Sequence, residues 1–160
     1  MKNKSVPSPV EIKPVTVFSR EIHQAIQSLL RQLTTAIVSF SETDLKQMIQ
    51  SENTVLVIAR EHQAGGRIIG MLSYATYRIP TGLNFRIEDV VVEQAGRGRG
   101  VGRQLMKYAL ARAKEMKADK IDLTSSPQRI AANQLYQSMG FRLKKTNVYR
   151  YPASRIKKLT

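Results

Sequence analysis

The chain has 160 residues, 42% of them hydrophobic and 24% charged, which fits one globular domain and excludes wholesale disorder. It contains no cysteine and two histidines, so the composition excludes disulfides, thiolate metal sites and a cysteine nucleophile, and we expect no bound metal. The formal net charge is +14, from 26 basic and 12 acidic residues, and such a field attracts polyanions: nucleic acid, an anionic membrane or a phosphorylated cofactor.

The excess positive charge lies entirely in the C-terminal part of the sequence. Residues 97–120 hold eight basic and two acidic residues, residues 129–160 hold eight basic residues and no acidic one, and the remaining positions balance. The start of the chain lacks the apolar stretch of a secretory signal, and the apolar run at residues 55–59 is too short to span a bilayer. We therefore expect a cytoplasmic protein with no membrane partner.

The first third of the chain is predicted to contain a leader, one strand and two helices. Three prolines favour a flexible leader over residues 1–13. Residues 15–18 form a β-branched run, which predicts a first strand. Ser19 is positioned to cap a helix with apolar residues at helical spacing. Ser41 opens a second helix through a capping box in which Asp44 takes the usual place of Glu or Gln.

The rest of the chain alternates strands and helices. The predicted elements are strands at 54–59, 67–77 and 85–92, a helix from 101, a strand at 120–124, a helix at 130–139 and a final hairpin of 141–143 and 147–151. The strands at 54–59, 67–77 and 85–92 form an antiparallel meander. A helix joins the strand at 85–92 to the strand at 120–124, so these two strands are parallel. This indicates an α/β (α+β) fold: a mixed, mostly antiparallel twisted sheet of about six to seven strands with a parallel central pair, flanked by about four helices. We expect one domain over residues 14–152 and a basic tail at 153–160.

A glycine-rich loop joins the third strand of the meander to the long helix, with the sequence Arg97-Gly98-Arg99-Gly100-Val101-Gly102. Glycines let the main chain approach a ligand closely, and amide hydrogens at the positive end of a helix dipole suit phosphate oxygens. The loop is not a Walker motif, because Gly102 is followed by Arg103, and it is not a dinucleotide fingerprint, because the sixth position is never glycine. It does fit the pattern Arg-x-x-Gly-x-Gly.

Two motifs resemble the GNAT superfamily of N-acetyltransferases. The run Ile87-Glu88-Asp89-Val90-Val91-Val92, followed by the glycine loop, is similar to that superfamily's acetyl-CoA motif. Downstream, Ala132-Asn133-Gln134-Leu135-Tyr136-Gln137-Ser138-Met139-Gly140-Phe141 is similar to its second signature, a helix that carries Leu-Tyr and ends in Gly-Phe. The resemblance implies a GNAT-like fold and an acetyl-CoA-dependent N-acetyltransferase. Because no cysteine can carry the acetyl group, a primary amine is expected to attack directly in a ternary complex.

The resemblance also implies how coenzyme A is bound. Val90, Val91 and Val92 pair with the pantetheine arm through their main chain and supply an amide to the thioester carbonyl. The glycine loop and the first turn of the next helix hold the phosphates; these residues are Arg97, Gly98, Arg99, Gly100, Val101, Gly102 and Arg103. The family often has an asparagine seven residues before its tyrosine. Here that position is Arg129, and Asn133 is the alternative for the pantetheine contact.

Two residues are expected to transfer protons. Tyr136 matches the tyrosine that many family members use as a general acid toward the thiolate. Glu88 is the candidate base, because some members place an acid nine residues before the motif arginine. Strand alternation puts Arg86, Glu88, Val90 and Val92 on one face and Asp89 on the other. Asp89 is therefore an alternative base, and a base that acts through water is a third possibility.

Two other functions remain as alternatives to the transferase: a basic nucleic-acid-binding module, and a coenzyme A-binding protein of the same fold without catalysis. The acceptor is open among small amines, aminoglycosides, polyamines, peptide N termini and lysine side chains. The surplus charge beyond residue 129 points to an anionic partner, and the superfamily is often dimeric.

Overall fold

The computed structural model describes residues 10–62 and 65–158. The chain divides into two compact units, one that ends at Thr124 and one that begins at Ser125. The sequence predicted one domain over residues 14–152, whereas the contacts separate its last part into a unit of its own.

The first unit is built on a five-stranded sheet in which each strand lies beside its neighbour in sequence, in the order β1-β2-β3-β4-β5. The first four strands are antiparallel, and β4 and β5 are parallel. The strands are β1 Val10–Pro14, β2 Thr54–Glu61, β3 Ile68–Ile79, β4 Gly82–Val92 and β5 Lys120–Leu123. The predicted mixed α/β fold with one parallel pair is confirmed, although the described residues form five strands instead of six to seven.

Strand β1 corrects the predicted start of the fold. The leader predicted over residues 1–13 is wrong from Val10 onward, where β1 begins, and the earlier residues lie outside the described chain. β1 runs antiparallel to β2 up to the pair Pro14↔Val57. Proline is tolerated there because β1 is an edge strand, so one side of it needs no hydrogen-bond partner. The strand predicted at 15–18 is not formed.

Two capped helices pack against β2, β3 and β4. Helix α1 (Arg20–Leu33) begins after Ser19, whose Oγ accepts a backbone N–H three residues later at 3.1 Å. Helix α2 (Glu42–Gln50) begins with the predicted capping box of Ser41 and Asp44. These helices and the sheet share one apolar core, whose buried members include Ile26, Leu29, Leu45, Leu56, Ile58, Met71 and Val91.

Helix α3 (Val101–Glu115) packs on the opposite face of the sheet. At Gly70 a Cβ atom would lie 3.2 Å from Leu105 Cδ1 and 3.3 Å from Val101 Cγ1, so the missing side chain lets the helix approach closely. Neighbouring residues of a strand point to opposite faces, and Met71 faces α1 and α2, which places α3 on the other side.

The second unit contains helix α4 (Ile130–Ser138) and a short 3₁₀ helix (Ala153–Lys158) in the predicted basic tail. The predicted helix with Gly140 at its end is confirmed. The hairpin predicted from residues 141–143 and 147–151 is wrong, because neither segment is a strand. Most of their apolar side chains are exposed, namely Leu143, Val148, Tyr149 and Tyr151, and an isolated hairpin without a buried face is at best marginally stable.

Candidate functional site

A bulge interrupts β4 in the middle of the predicted cofactor strand. The pairing with β3 passes from Ser73↔Glu88 to Met71↔Val91, so three steps along β4 match two along β3. Asp89 lies within this stretch with a φ of 52°, in the left-handed region that Asp tolerates better than most residues. β4 therefore carries one extra residue at this point.

The bulge changes which side chains share a face of the sheet. Residues directly opposite each other in an antiparallel pair point to the same face. Ser73 and Met71 are two residues apart and share a face, so their partners Glu88 and Val91 share it too. The predicted alternation, which placed Glu88 with Val92, is wrong because the extra residue shifts the pattern by one.

Both carboxylates at the bulge have partners. Glu88 Oε1 accepts a hydrogen bond from Arg86 Nε within an ion pair, and Asp89 Oδ2 accepts one from Ser73 Oγ at 3.2 Å. Because Ser73 lies opposite Glu88, the two carboxylates are neighbours on one side of the sheet, not on opposite faces as predicted. Arg86 also donates to Thr124 Oγ1 at 3.2 Å, which ties the ion pair to the end of β5.

Strand β4 continues beyond its pairing with β5. That pairing ends at Ile87↔Leu123, whereas β4 runs on to Val92. Some main-chain groups of residues 88–92 point away from β3. In the part of the chain that the structure describes, no strand pairs with these groups. An open edge of this kind can pair with an extended ligand.

The glycine loop presents the N terminus of α3. Gly98 and Gly100 have φ values of 76° and 78°, a conformation that favours glycine. Gly100 is the N-cap, no side chain of the described residues caps the helix there, and the first turn carries no acidic residue. The first N–H groups and the positive end of the dipole therefore suit an anion.

The arginines of the loop hold it in place. Arg97 Nε donates to the Val92 carbonyl at 3.2 Å. Arg99 Nη2 forms an ion pair with Glu61 Oε1 at 3.0 Å, which joins the loop to the end of β2. Arg103 is exposed in the first turn of α3. The sequence assigned these three residues to cofactor binding and missed the contacts that Arg97 and Arg99 make within the protein.

In the second unit, α4 carries Asn133 and Tyr136, and Arg129 precedes it. Asn133 Nδ2 donates to the carbonyls of Ser126 at 2.9 Å and Pro127 at 3.4 Å, which closes the turn before the helix. Tyr136 is 6% exposed, and burial raises the pKa of its phenol, while the charge of Arg129 opposes that shift. Its hydroxyl makes no hydrogen bond within the described chain, so its proton is not committed to a protein acceptor there.

The predicted site residues of the first unit converge where β4 ends and α3 begins. Asn133 and Tyr136 belong to the second unit. Sequence reasoning missed the bulge, and with it the contact between Ser73 and Asp89. One signal was present: Asp is depleted in strands, and Asp89 follows Glu88 in a run whose other members, Ile87 and residues 90–92, are β-branched.

A cavity of about 350 Å³ lies elsewhere in the first unit, beside the end of α2 and the start of β2. Its lining combines apolar side chains with Tyr74, Tyr108 and Arg112, and burial raises the pKa of Tyr108. None of the predicted site residues line this cavity, so it is separate from the candidate site.

Within residues 10–62 and 65–158, no three His, Asp or Glu side chains gather in a way that could hold a metal ion. Over the same ranges, no helix combines the length and the apolar composition needed to cross a bilayer.

The sequence matches the family model described as "Acetyltransferase (GNAT) family" over residues 23–141, which include both motifs. Glucosamine-6-phosphate N-acetyltransferase from Arabidopsis thaliana is 21% identical with a TM-score of 0.71, over 88% of this chain and 98% of that one. AAC(6')-Iy in complex with the bisubstrate analog CoA-S-monomethyl-acetylneamine is 18% identical with a TM-score of 0.73, over 91% of this chain and 100% of that one. An aminoglycoside acetyltransferase from an uncultured soil metagenomic sample, in complex with sisomicin, is 13% identical with a TM-score of 0.77, over 90% of this chain and 95% of that one. These likenesses establish the shared fold. No curated protein sequence matches significantly.

Proposed function

The chain belongs to the acetyltransferase (GNAT) family and is an acyltransferase, and we propose that it moves an acetyl group from acetyl-CoA to a primary amine. The amine attacks directly in a ternary complex, because the chain has no cysteine on which an acetyl group could rest. One observation carries the proposal: the bulged edge of β4 leads into the N terminus of α3, and among the described residues no strand pairs with this edge and no side chain caps the helix.

Donor binding is assigned to the main chain of β4 and to the glycine loop. Val90, Val91 and Val92 would pair with the pantetheine arm along the open edge, and the first N–H groups of α3 would hold the phosphates. The loop suits this role because a Cβ atom at Gly98 or Gly100 would meet nothing within 4 Å, which leaves room for a ligand. The bound coenzyme supplies the activated thioester. The loop residues involved are Arg97, Gly98, Arg99, Gly100, Val101, Gly102 and Arg103.

The remaining predicted contact to the pantetheine arm comes from the second unit. Asn133 would make it through Oδ1, because its Nδ2 already donates to the carbonyls of Ser126 and Pro127. A pantetheine amide N–H is a suitable donor to that oxygen.

Charge that develops during the reaction requires two hydrogen-bond donors. A main-chain N–H at the bulge would stabilise the thioester oxygen as the amine attacks. Tyr136 would then give its phenolic proton to the departing thiolate. Burial raises the pKa of Tyr136, so the phenol stays protonated at neutral pH and remains a proton donor.

Glu88 is the proposed base, with Asp89 and a water-mediated route as alternatives. An amine with a pKa of about 10 must lose a proton before it attacks. Arg86 orients the Glu88 carboxylate and Ser73 orients that of Asp89. Because both carboxylates lie on one side of the sheet, each could accept this proton.

The acceptor is proposed to carry negative charge as well as an amine. Residues 97–120 and 129–160 contribute eight basic residues each against two acidic ones in all, which attracts anions. We therefore expect glucosamine 6-phosphate to be acetylated faster than a polycationic aminoglycoside. We also propose a cytoplasmic location and, from the family resemblance, a homodimer, and sedimentation of the purified protein at the mass of two chains would support the dimer.

The first test is calorimetric titration with acetyl-CoA at near-physiological salt. We expect micromolar affinity with one site per chain, and the same affinity for Val90→Ala, because the proposed contact uses the main chain. Thiol release with a panel of amines then measures turnover, without background from protein cysteines. Failure of the folded protein to bind acetyl-CoA would overturn the proposal.

A further inference from the structure

We propose that residues 141–152, which we name the basic–aromatic segment, bind single-stranded nucleic acid. The first observation is uncompensated charge. Residues 129–160 hold eight Lys and Arg and no Asp or Glu. The ion pairs that the structure describes all lie between residues 11 and 115, and the second unit has no acidic side chain with which to form one. Its positive charge therefore calls for an anion from outside the unit.

The second observation is exposed aromatic surface among these charges. Tyr149 is 88% exposed and Tyr151 is 58% exposed, and Arg150 stands between them. Asn147 Nδ2 donates to the Tyr149 hydroxyl at 3.3 Å, which orients this ring without covering it. The exposed basic side chains of the segment are Arg142, Lys144, Lys145 and Arg150.

These two observations favour nucleic acid over a membrane. A protein that lies on a membrane usually presents an amphipathic helix with separate apolar and basic faces. The basic–aromatic segment has no regular secondary structure, and its rings and charges are interleaved along the chain. Interleaved rings and cations match the repeat of a single strand, in which bases stack on aromatic side chains and phosphates pair with Lys and Arg.

The single-stranded form is favoured over a duplex for a structural reason. Reading a duplex through the major groove requires a helix or a two-stranded ribbon, and residues 141–152 form neither. Unpaired bases, in contrast, can be splayed onto exposed rings.

Fluorescence anisotropy with a labelled 20-nucleotide single strand, titrated with the whole protein at several salt concentrations, tests the proposal. Four phosphate contacts predict a slope of about −3 for log affinity against log salt, at about 0.7 per contact. The double change Lys144→Gln and Lys145→Gln should make this negative slope shallower by about 1.4. The double change Tyr149→Ala and Tyr151→Ala should weaken binding at least about fivefold per ring, whereas Phe at both positions should retain it.

Matched controls lie in the first unit. Lys107→Gln with Lys114→Gln removes the same charge from exposed positions on α3, and Tyr77→Ala removes a ring that is 46% exposed on β3. Both should leave the affinity and the slope nearly unchanged.

Several results would overturn the proposal: no binding at low salt, equal affinity for a duplex of the same length, binding that survives loss of both tyrosines, or a preference for anionic vesicles over the single strand. The titrations contain no acetyl-CoA, so their failure would leave the proposed transferase activity untouched.

Discussion

The backbone N–H of Phe141 donates to the carbonyl of Tyr136 at 3.1 Å, and the two rings meet edge to face with their centroids 6.1 Å apart. Between them Gly140 has a φ of 95°, and its N–H donates to the Gln137 carbonyl at 3.0 Å. Together these bonds form a Schellman motif with its apolar contact. The Gly-Phe pair that ends the second sequence motif thus closes α4 and packs a ring against the proposed general acid.

The first prediction concerns Gly140. Replacement by Ala places a Cβ in open space but in a left-handed conformation, so we expect a loss of about 1 kcal/mol in the free energy of unfolding. Gly140→Asn should lose less, because Asn tolerates this region. Urea titration of the two variants measures the difference, and equal stability would contradict the Schellman geometry.

The second prediction separates an enzyme from a coenzyme A-binding protein without catalysis. Tyr136→Phe removes the proton donor and keeps the ring that packs on Phe141. We expect kcat to fall at least about 100-fold while the dissociation constant for acetyl-CoA stays unchanged. Phe141→Leu is the control, since it retains the hydroxyl and should lower kcat much less. Unchanged turnover in Tyr136→Phe would remove Tyr136 from the mechanism.

The third prediction follows from the pKa of Tyr136. Burial raises this pKa above its unfolded value, so the folded protein binds the phenolic proton more tightly than the unfolded chain does. The stabilisation is fully present below the unfolded pKa of about 10 and is lost as the pH rises through the folded pKa. Compared with Tyr136→Phe, the native protein should lose thermal stability above about pH 10. Parallel melting curves of the two proteins from pH 8 to 11 would contradict this.

The fourth prediction concerns the point where β4 and β5 begin. The Leu83 N–H donates to Asp119 Oδ2 at 2.6 Å, and the Asp119 N–H donates to the Leu83 carbonyl at 2.9 Å. Gly82 has a φ of 120°, and a Cβ there would overlap the Asp119 carboxylate. Gly82→Ala should therefore cost more than about 2 kcal/mol. Gly65→Ala is the matched control: its φ of 71° is also positive, but nothing lies within 4 Å, so only about 1 kcal/mol is expected.

Features with local causes could be predicted from the sequence. Ser19 and the pair Ser41 and Asp44 cap helices through bonds that span three residues, so the pattern alone identifies them. The parallel arrangement of β4 and β5 follows from the helix that connects them.

Features that depend on distant partners could not be predicted. The bulge at Asp89 exists because β4 pairs with β3 in a particular register, and it reverses the faces that simple alternation gave. Strand β1 forms because β2 offers it an edge, although Pro14 and the two prolines before the strand suggested a leader. The hairpin expected at residues 141–151 has suitable residues, but the described residues of its own unit offer it no partner strand.

The final prediction identifies the base. Glu88→Gln and Asp89→Asn each remove one negative charge and keep the shape of the side chain, and Asn tolerates the φ of 52° at position 89, so the bulge should persist in both. If Glu88 is the base, Glu88→Gln should lower kcat about 100-fold, whereas Asp89→Asn should lower kcat only a few-fold.

If Asp89→Asn lowers kcat more than Glu88→Gln does, Asp89 is the base, and Glu88 serves the ion pair with Arg86. A small effect of both changes would favour deprotonation of the amine through water. Ser73→Ala distinguishes the first two cases further, because it removes the hydroxyl that orients Asp89 and leaves the contact between Glu88 and Arg86 intact. With Glu88 as the base, Ser73→Ala should retain most of its turnover.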